Sequence, residues 1–133
     1  MPASNFLRAA VLDHTLRGVS MAGIATAYVS LHTYDPTADA IAASEIDGTT
    51  ATWYVRQSCA FSAQSISGLT SNANPVTFAA VTGSSVTVTH FAIWTAVTGT
   101  TSMLFYGTLS ASKTFYVNDV PSWLAGTLQV TAV

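Results

Sequence analysis

Apolar residues at Phe6, Leu7, Ala10, Val11 and Leu12 recur at helical spacings, with Ser4 as a good N-cap ahead of them and Gly18 as a stop behind. The pattern predicts one short helix over Asn5–Arg17. Its polar residues Arg8, Asp13, His14 and Arg17 mark a side that faces water or a partner, and Arg17 sits well for the helix dipole. After Gly18 the periodicity changes to short alternating runs separated by Gly, Asn, Pro, Ser and Asp. Residues 25–33 set Ala27, Val29 and Leu31 against Tyr28, Ser30 and His32. Residues 53–62 set Trp53, Val55, Cys59 and Phe61 against Tyr54, Arg56, Ser58 and Ala60. Runs at 75–81, 85–96, 103–110, 114–118 and 126–133 complete the set. The expected fold class is therefore mainly β: a single-domain antiparallel β-sandwich of about seven strands, residues 19–133, preceded by a helical arm over residues 1–18. In the run 85–96 both faces turn apolar near the end, with Phe91 and Ile93 opposite Ala92 and Trp94, which predicts burial on both sides by the helix or by a neighbouring subunit. Two connections, 34–50 and 63–74, exceed the usual ~4–6 residues and are the natural places for specific contacts.

Composition sharpens this picture. The 133 residues suit one domain, and half of them are apolar. Only 8% are charged, against about 25% in an ordinary soluble domain. A surface of Thr, Ser, Ala and Gly in place of mixed charge predicts that much of the outside faces other protein. The net charge of −2, with bases only at Arg8, Arg17, Arg56 and Lys113, offers no phosphate-binding patch and argues against nucleic acid as a partner. The best apolar stretch, residues 21–31, is too short and too interrupted to span a membrane. The first residues lack the basic region of a secretory signal, so the expectation is synthesis without export. Cys59 is the sole cysteine and reads as a buried core thiol.

Candidate chemistry is sparse. No Gly-x-Ser-x-Gly elbow or phosphate-cradling glycine loop occurs, and the fragment from Gly18 to Gly23 has the wrong spacing. His14, His32 and His90 lie on different predicted elements without metal-ligand spacing and read as structural hydrogen-bonding groups. Asp35, Asp39, Glu45 and Asp47 gather four of the six carboxylates in one loop. They lack the calcium-loop periodicity, and Asp35-Pro36 and Asp47-Gly48 read as turn formers. No catalytic residue, cofactor or metal site is expected. Most of the Trp and Tyr residues fall on alternating apolar faces and read as core. Trp123, in the turn Pro121-Ser-Trp-Leu, is the exception and is expected to be exposed and contact-making.

The order of several segments carries a resemblance. Leu12-Asp-His-Thr-Leu-Arg-Gly18, Tyr28-Val-Ser-Leu-His-Thr-Tyr-Asp-Pro36, Tyr54-Val-Arg-Gln57, Val88-Thr-His-Phe-Ala-Ile-Trp94, the run from Leu104 to Lys113 and Ala125-Gly-Thr-Leu-Gln-Val130 together resemble small tailed-bacteriophage virion proteins of the tail-fibre-like or capsid cement-like kind. The resemblance implies a helix followed by a β-sandwich, and a repeated structural role without catalytic residues. It departs at Trp53 and Tyr54, and in the aromatic segment 116–123. The expected function is a capsid decoration (cement) protein that reinforces the shell by packing between subunits. The alternative is a tail-fibre-like or carbohydrate-binding protein for host attachment, and a small glycosidase using the acidic loop ranks last. Expected partners are copies of itself, a trimer among the options, and the major capsid or tail proteins. The expected location is the exterior of the virion after synthesis in the host cytoplasm. Phe6, Arg8, Asp13, Arg17 and Trp123 are the candidate interface residues.

Overall fold

The computed structural model describes residues 1–21, 23–65 and 67–131. In chain order the elements are helix α1 (Asn5–Arg17) and strands β1 (Ala27–His32), β2 (Gln57–Cys59), β3 (Leu69–Ser71), β4 (Val76–Thr77), β5 (Val86–Trp94), β6 (Met103–Phe115), β7 (Ser122–Trp123) and β8 (Gln129–Thr131), with one 3-10 turn at Ala42–Ser44. All strand pairs are antiparallel. A four-stranded sheet runs β2-β1-β5-β6, and two small ladders pair β3 with β8 and β4 with β7.

Alternation along β1 decides what each face of the large sheet covers. Val29 lies opposite Ile93, which lies opposite Phe105; Leu31 lies opposite Phe91, which lies opposite Gly107. This face meets Val76, Trp123 and Val130 from the two ladders and Phe78, Val81 and Leu128 from the segments beside them, giving a mainly β, sandwich-like core. The other face carries Ser30, His32, Ala92, Trp94 and Met103, all buried. The double burial read in the sequence of β5 is present, but its cover is neither helix nor neighbour. The connection from β1 to β2 folds back over this face, bringing Ala40 against Ala92, Trp94 and Met103 and Arg56 onto Trp94.

Several expected strand limits change. The run 53–62 is strand only at Gln57–Cys59. Tyr54 and Arg56 are buried while Val55 is exposed, because polar partners inside the fold hold the first two. The separate strands expected at 103–110 and 114–118 merge into one strand, β6, which ends at Phe115 and leaves 116–118 as turn, and in which residues 109–112 bulge opposite Thr89. β3 falls in what reads as a polar loop and exists through pairing with β8. The last expected strand narrows to Gln129–Thr131; residues 132–133 lie outside the described residues.

The chain start ties α1 to the sheet. Ala3 bridges Phe105, Ser4 N donates to Leu104 O at 2.9 Å and Tyr106 N donates to Pro2 O at 3.3 Å, so the first residues add to the free edge of β6. The Ser4 hydroxyl accepts from Leu7 N at 3.1 Å as the N-cap and donates to Met103 O. Asn5 fixes the helix to the 34–46 segment, N to Ala38 O at 2.9 Å and Nδ2 to Asp39 Oδ1 at 2.6 Å. At the far end Gly18 takes φ 68°, a left-handed turn that lets Val19 N close on Asp13 O at 3.1 Å. Ser4→Ala removes the cap and a buried bond together, and we expect it to lower unfolding stability by about 2 kcal/mol in a urea titration. An unchanged midpoint would show that Ser4 does not anchor the helix.

Candidate functional site

The acidic loop does not assemble a ligand set. Asp35 accepts from Thr37 N at 2.8 Å, Asp39 from Asn5, and Asp47 from Thr49 N and Oγ1 at 2.9 and 2.7 Å. The Thr49 hydroxyl and amide bonds hold the Asp47 carboxyl below its usual range. Among the described residues no group of three His, Cys, Asp or Glu is placed to hold a metal ion. Glu45 separates from the other three and turns inward. Its Oε1 accepts from Arg56 Nε at 2.8 Å and from the Tyr54 hydroxyl at 2.7 Å, and its Oε2 accepts from Arg56 Nη2 at 2.6 Å. Arg56 also donates from Nη1 to Ala96 O at 3.0 Å and from Nη2 to Gly99 O at 2.8 Å, with its guanidinium 3.8 Å from the Trp94 ring centre. The Tyr54 oxygen in turn accepts from Leu31 N at 3.1 Å. Burial, then the Glu45 charge beside it, drives the Tyr54 phenol well above its ordinary pKa and keeps it a donor.

Next to this pair, His32 lies between two hydroxyls. Trp94 Nε1 donates to Ser30 Oγ at 2.7 Å, and Ser30 Oγ meets His32 Nε2 at 2.6 Å. His32 Nδ1 meets Ser44 Oγ at 2.7 Å, and Ser44 Oγ donates to Ile41 O at 2.7 Å. The chain closes with every group satisfied when the imidazole is neutral and carries its proton on Nδ1. Burial lowers the His32 pKa to about 4, which favours that state. A Ser–His pair suggests nucleophilic chemistry only where a substrate can reach it; Ser30, His32 and Ser44 are all closed to solvent and bonded to structural partners. His90 meets the Thr89 hydroxyl at 2.7 Å, and His14 meets Val19 O at 3.1 Å. Cys59 is a buried free thiol whose pKa burial pushes up.

Trp123 is not the exposed anchor the turn suggests. It is 6% exposed, lies edge-on to Phe78 and Phe115, and continues a core series from Trp53 through Tyr54. Its strand pairing with Val76 directs it inward. Trp53 and Trp94 are buried as well, so the large exposed aromatics among the described residues are Phe6, Tyr34 and Tyr116.

The arm is different. None of the residues of α1 is buried. Leu7 packs on the core, and Phe6, Leu7 and Ala10 line one wall of a groove of about 710 Å³ completed by Met21, Ile24, Tyr28 and Leu104. Phe6 and Arg8 are exposed, and Asp13 binds Arg17 at 2.8 Å along the helix. Four of the five expected interface residues thus share one element, and Trp123 does not join them. Leu12, 56% exposed, and Leu16, 78% exposed, are not among those five, nor are the exposed Val19, Met21 and Ile24. The available signal is positional: at 3.6 residues per turn Leu12 and Leu16 lie on the side of the helix away from Leu7 and Ala10. Together they form an exposed apolar surface on and just after the helix.

A family model described as Podophage GP4 fiber I protein gp80 matches residues 2–131, nearly the whole chain. A search of the curated proteins finds no match.

Two outcomes follow from the buried network. Arg56→Met strands Glu45 in a largely buried position and is expected to cost about 3–5 kcal/mol in chemical denaturation, while Glu45→Gln with Arg56→Met costs less. For His32, the folded pKa lies below the unfolded value of 6.5, so its contribution is complete above pH 6.5 and declines as pH falls toward 4. Urea midpoints measured between those limits should register a loss approaching about 3 kcal/mol; a flat profile would contradict the buried neutral imidazole.

Proposed function

The chain belongs to the family of the Podophage GP4 fiber I protein gp80, and on that premise we propose that it is a non-enzymatic building block of a podophage tail fibre, seated on neighbouring protein through its helical arm. The observation that carries this is α1 itself. Its start is fixed to β6 and to the 34–46 segment, yet it leaves Leu12, Leu16 and the following Val19 and Met21 to solvent. A helix of 13 residues is marginal alone and gains stability by covering its apolar side. The charge-poor surface supports the same reading, since few desolvated charges would oppose packing against other subunits. The Ser30–His32–Ser44 chain, enclosed and fully bonded, supports a structural role over hydrolysis.

Between the fibre role and the capsid decoration role expected from the sequence, the family description supports the fibre. A sugar-binding surface built on tryptophan finds little support, because Trp53, Trp94 and Trp123 are all in the interior. Electron cryomicroscopy of the particle tests the assignment. Density for this chain repeated on the tail, with α1 against neighbouring protein, is the expected result. Density at regular positions on the head would turn the assignment to decoration, and absence from the particle would overturn the virion role altogether.

A further inference from the structure

The fibre reading leaves the partner of the arm unnamed. We propose that the partner is α1 of another copy of this chain, and that the helices pack in parallel along a seam of Ala9, Leu12 and Leu16. The spacing of these residues, three and then four, is that of alternating core positions in a heptad. On a helical projection they fall within about 60° of one another, on the side opposite Leu7 and Ala10, which face the chain's own body. All three are exposed. The seam thus does not compete with the contacts that hold α1 in place.

Charge supplies the orientation. With Ala9 and Leu16 at the first core position and Leu12 at the second, Arg8 and Asp13 occupy the two flanking positions. In a parallel pair a residue at the first flank meets the residue five places on in the neighbouring helix, which sets Arg8 against Asp13 of the other copy. An antiparallel pair brings like flanks together, Arg8 and Thr15 with their counterparts, and offers Arg8 no carboxylate. Arg17 occupies Oδ1 of Asp13, and the second carboxylate oxygen can accept from the incoming guanidinium. Since Ser4 fixes the start of every α1 to its own body, a parallel seam gathers all bodies at one end. A closed symmetric oligomer of that form suits a fibre.

The test uses the full chain at tens of micromolar in sedimentation equilibrium, with circular dichroism as the check on folding. Leu12→Glu and Leu16→Glu, at exposed positions, should leave the spectrum unchanged and weaken self-association about tenfold or more each. Arg8→Glu should weaken it, and adding Asp13→Arg should restore it. Within one helix positions 8 and 13 lie about 140° apart and cannot meet, so restoration reports a contact between copies. In a Cys59→Ser background, Leu16→Cys should form a disulfide between copies under mild oxidation. An oligomer without that disulfide overturns the parallel seam. A wild-type monomer overturns association through α1 and, if the chain still occupies the particle, leaves the fibre role standing with another protein on the arm.

Discussion

The guanidinium of Arg56 is the group on which the second face of the large sheet depends. A strand as apolar on both sides as β5 needs two covers, and the two ladders provide only one. The other is a connection without regular strands, whose large apolar residues Ile46, Trp53 and Tyr54 belong to the opposite core and which puts only Ala40 against this face. Arg56 holds it down by combining a face-on contact to Trp94, a bidentate pair with Glu45 and bonds to the carbonyls of Ala96 and Gly99. Glu45 passes the constraint to Tyr54, whose hydroxyl bonds the backbone of β1, while Ser44 passes it to His32. Among the described residues no buried side-chain nitrogen or oxygen lacks a partner, which is what makes such a polar interior tolerable.

Satisfied polar groups in the body have their counterpart in exposed apolar groups on the arm. Most of α1's stabilising contacts come at its first turn, through Ser4 and Asn5, and at the Gly18 turn. Between those points the helix is held by Leu7 and by neighbours along the groove, and its remaining apolar side chains are presented outward. The chain therefore combines an interior whose polar groups are satisfied with a helix that leaves Leu12 and Leu16 exposed.

Much of the fold is legible in the sequence where neighbouring residues determine it. Ser4 and Gly18 delimit α1, alternation delimits β1 and the double apolar pattern marks β5. What misleads is what depends on distant partners. The regular alternation of residues 53–62 looks like a strand, but Arg56 and Tyr54 are drawn inward by a carboxylate eleven and nine positions away. Leu69–Ser71 has the composition of a loop and becomes strand only because β8 lies beside it. Trp123 looks like a loop aromatic until β4 fixes which way its short strand faces. At the site, the charged residues of the arm are visible as polar positions in a helix. That Leu12 and Leu16 face outward becomes visible only when the body shows which side of α1 it occupies.

The attachment of the arm also governs when it becomes available. Ser4 holds its place through Met103 and Leu104, about a hundred residues later in the chain, and Met1 reaches the carbonyl of Thr131. A chain still being synthesised has no docking edge for its own first residues, and a short helix cut off from that edge is poorly populated. The helix acquires its orientation only after β6 has been made and paired with β5. Order of synthesis therefore delays the fixing of the arm until the strands that anchor it are in place.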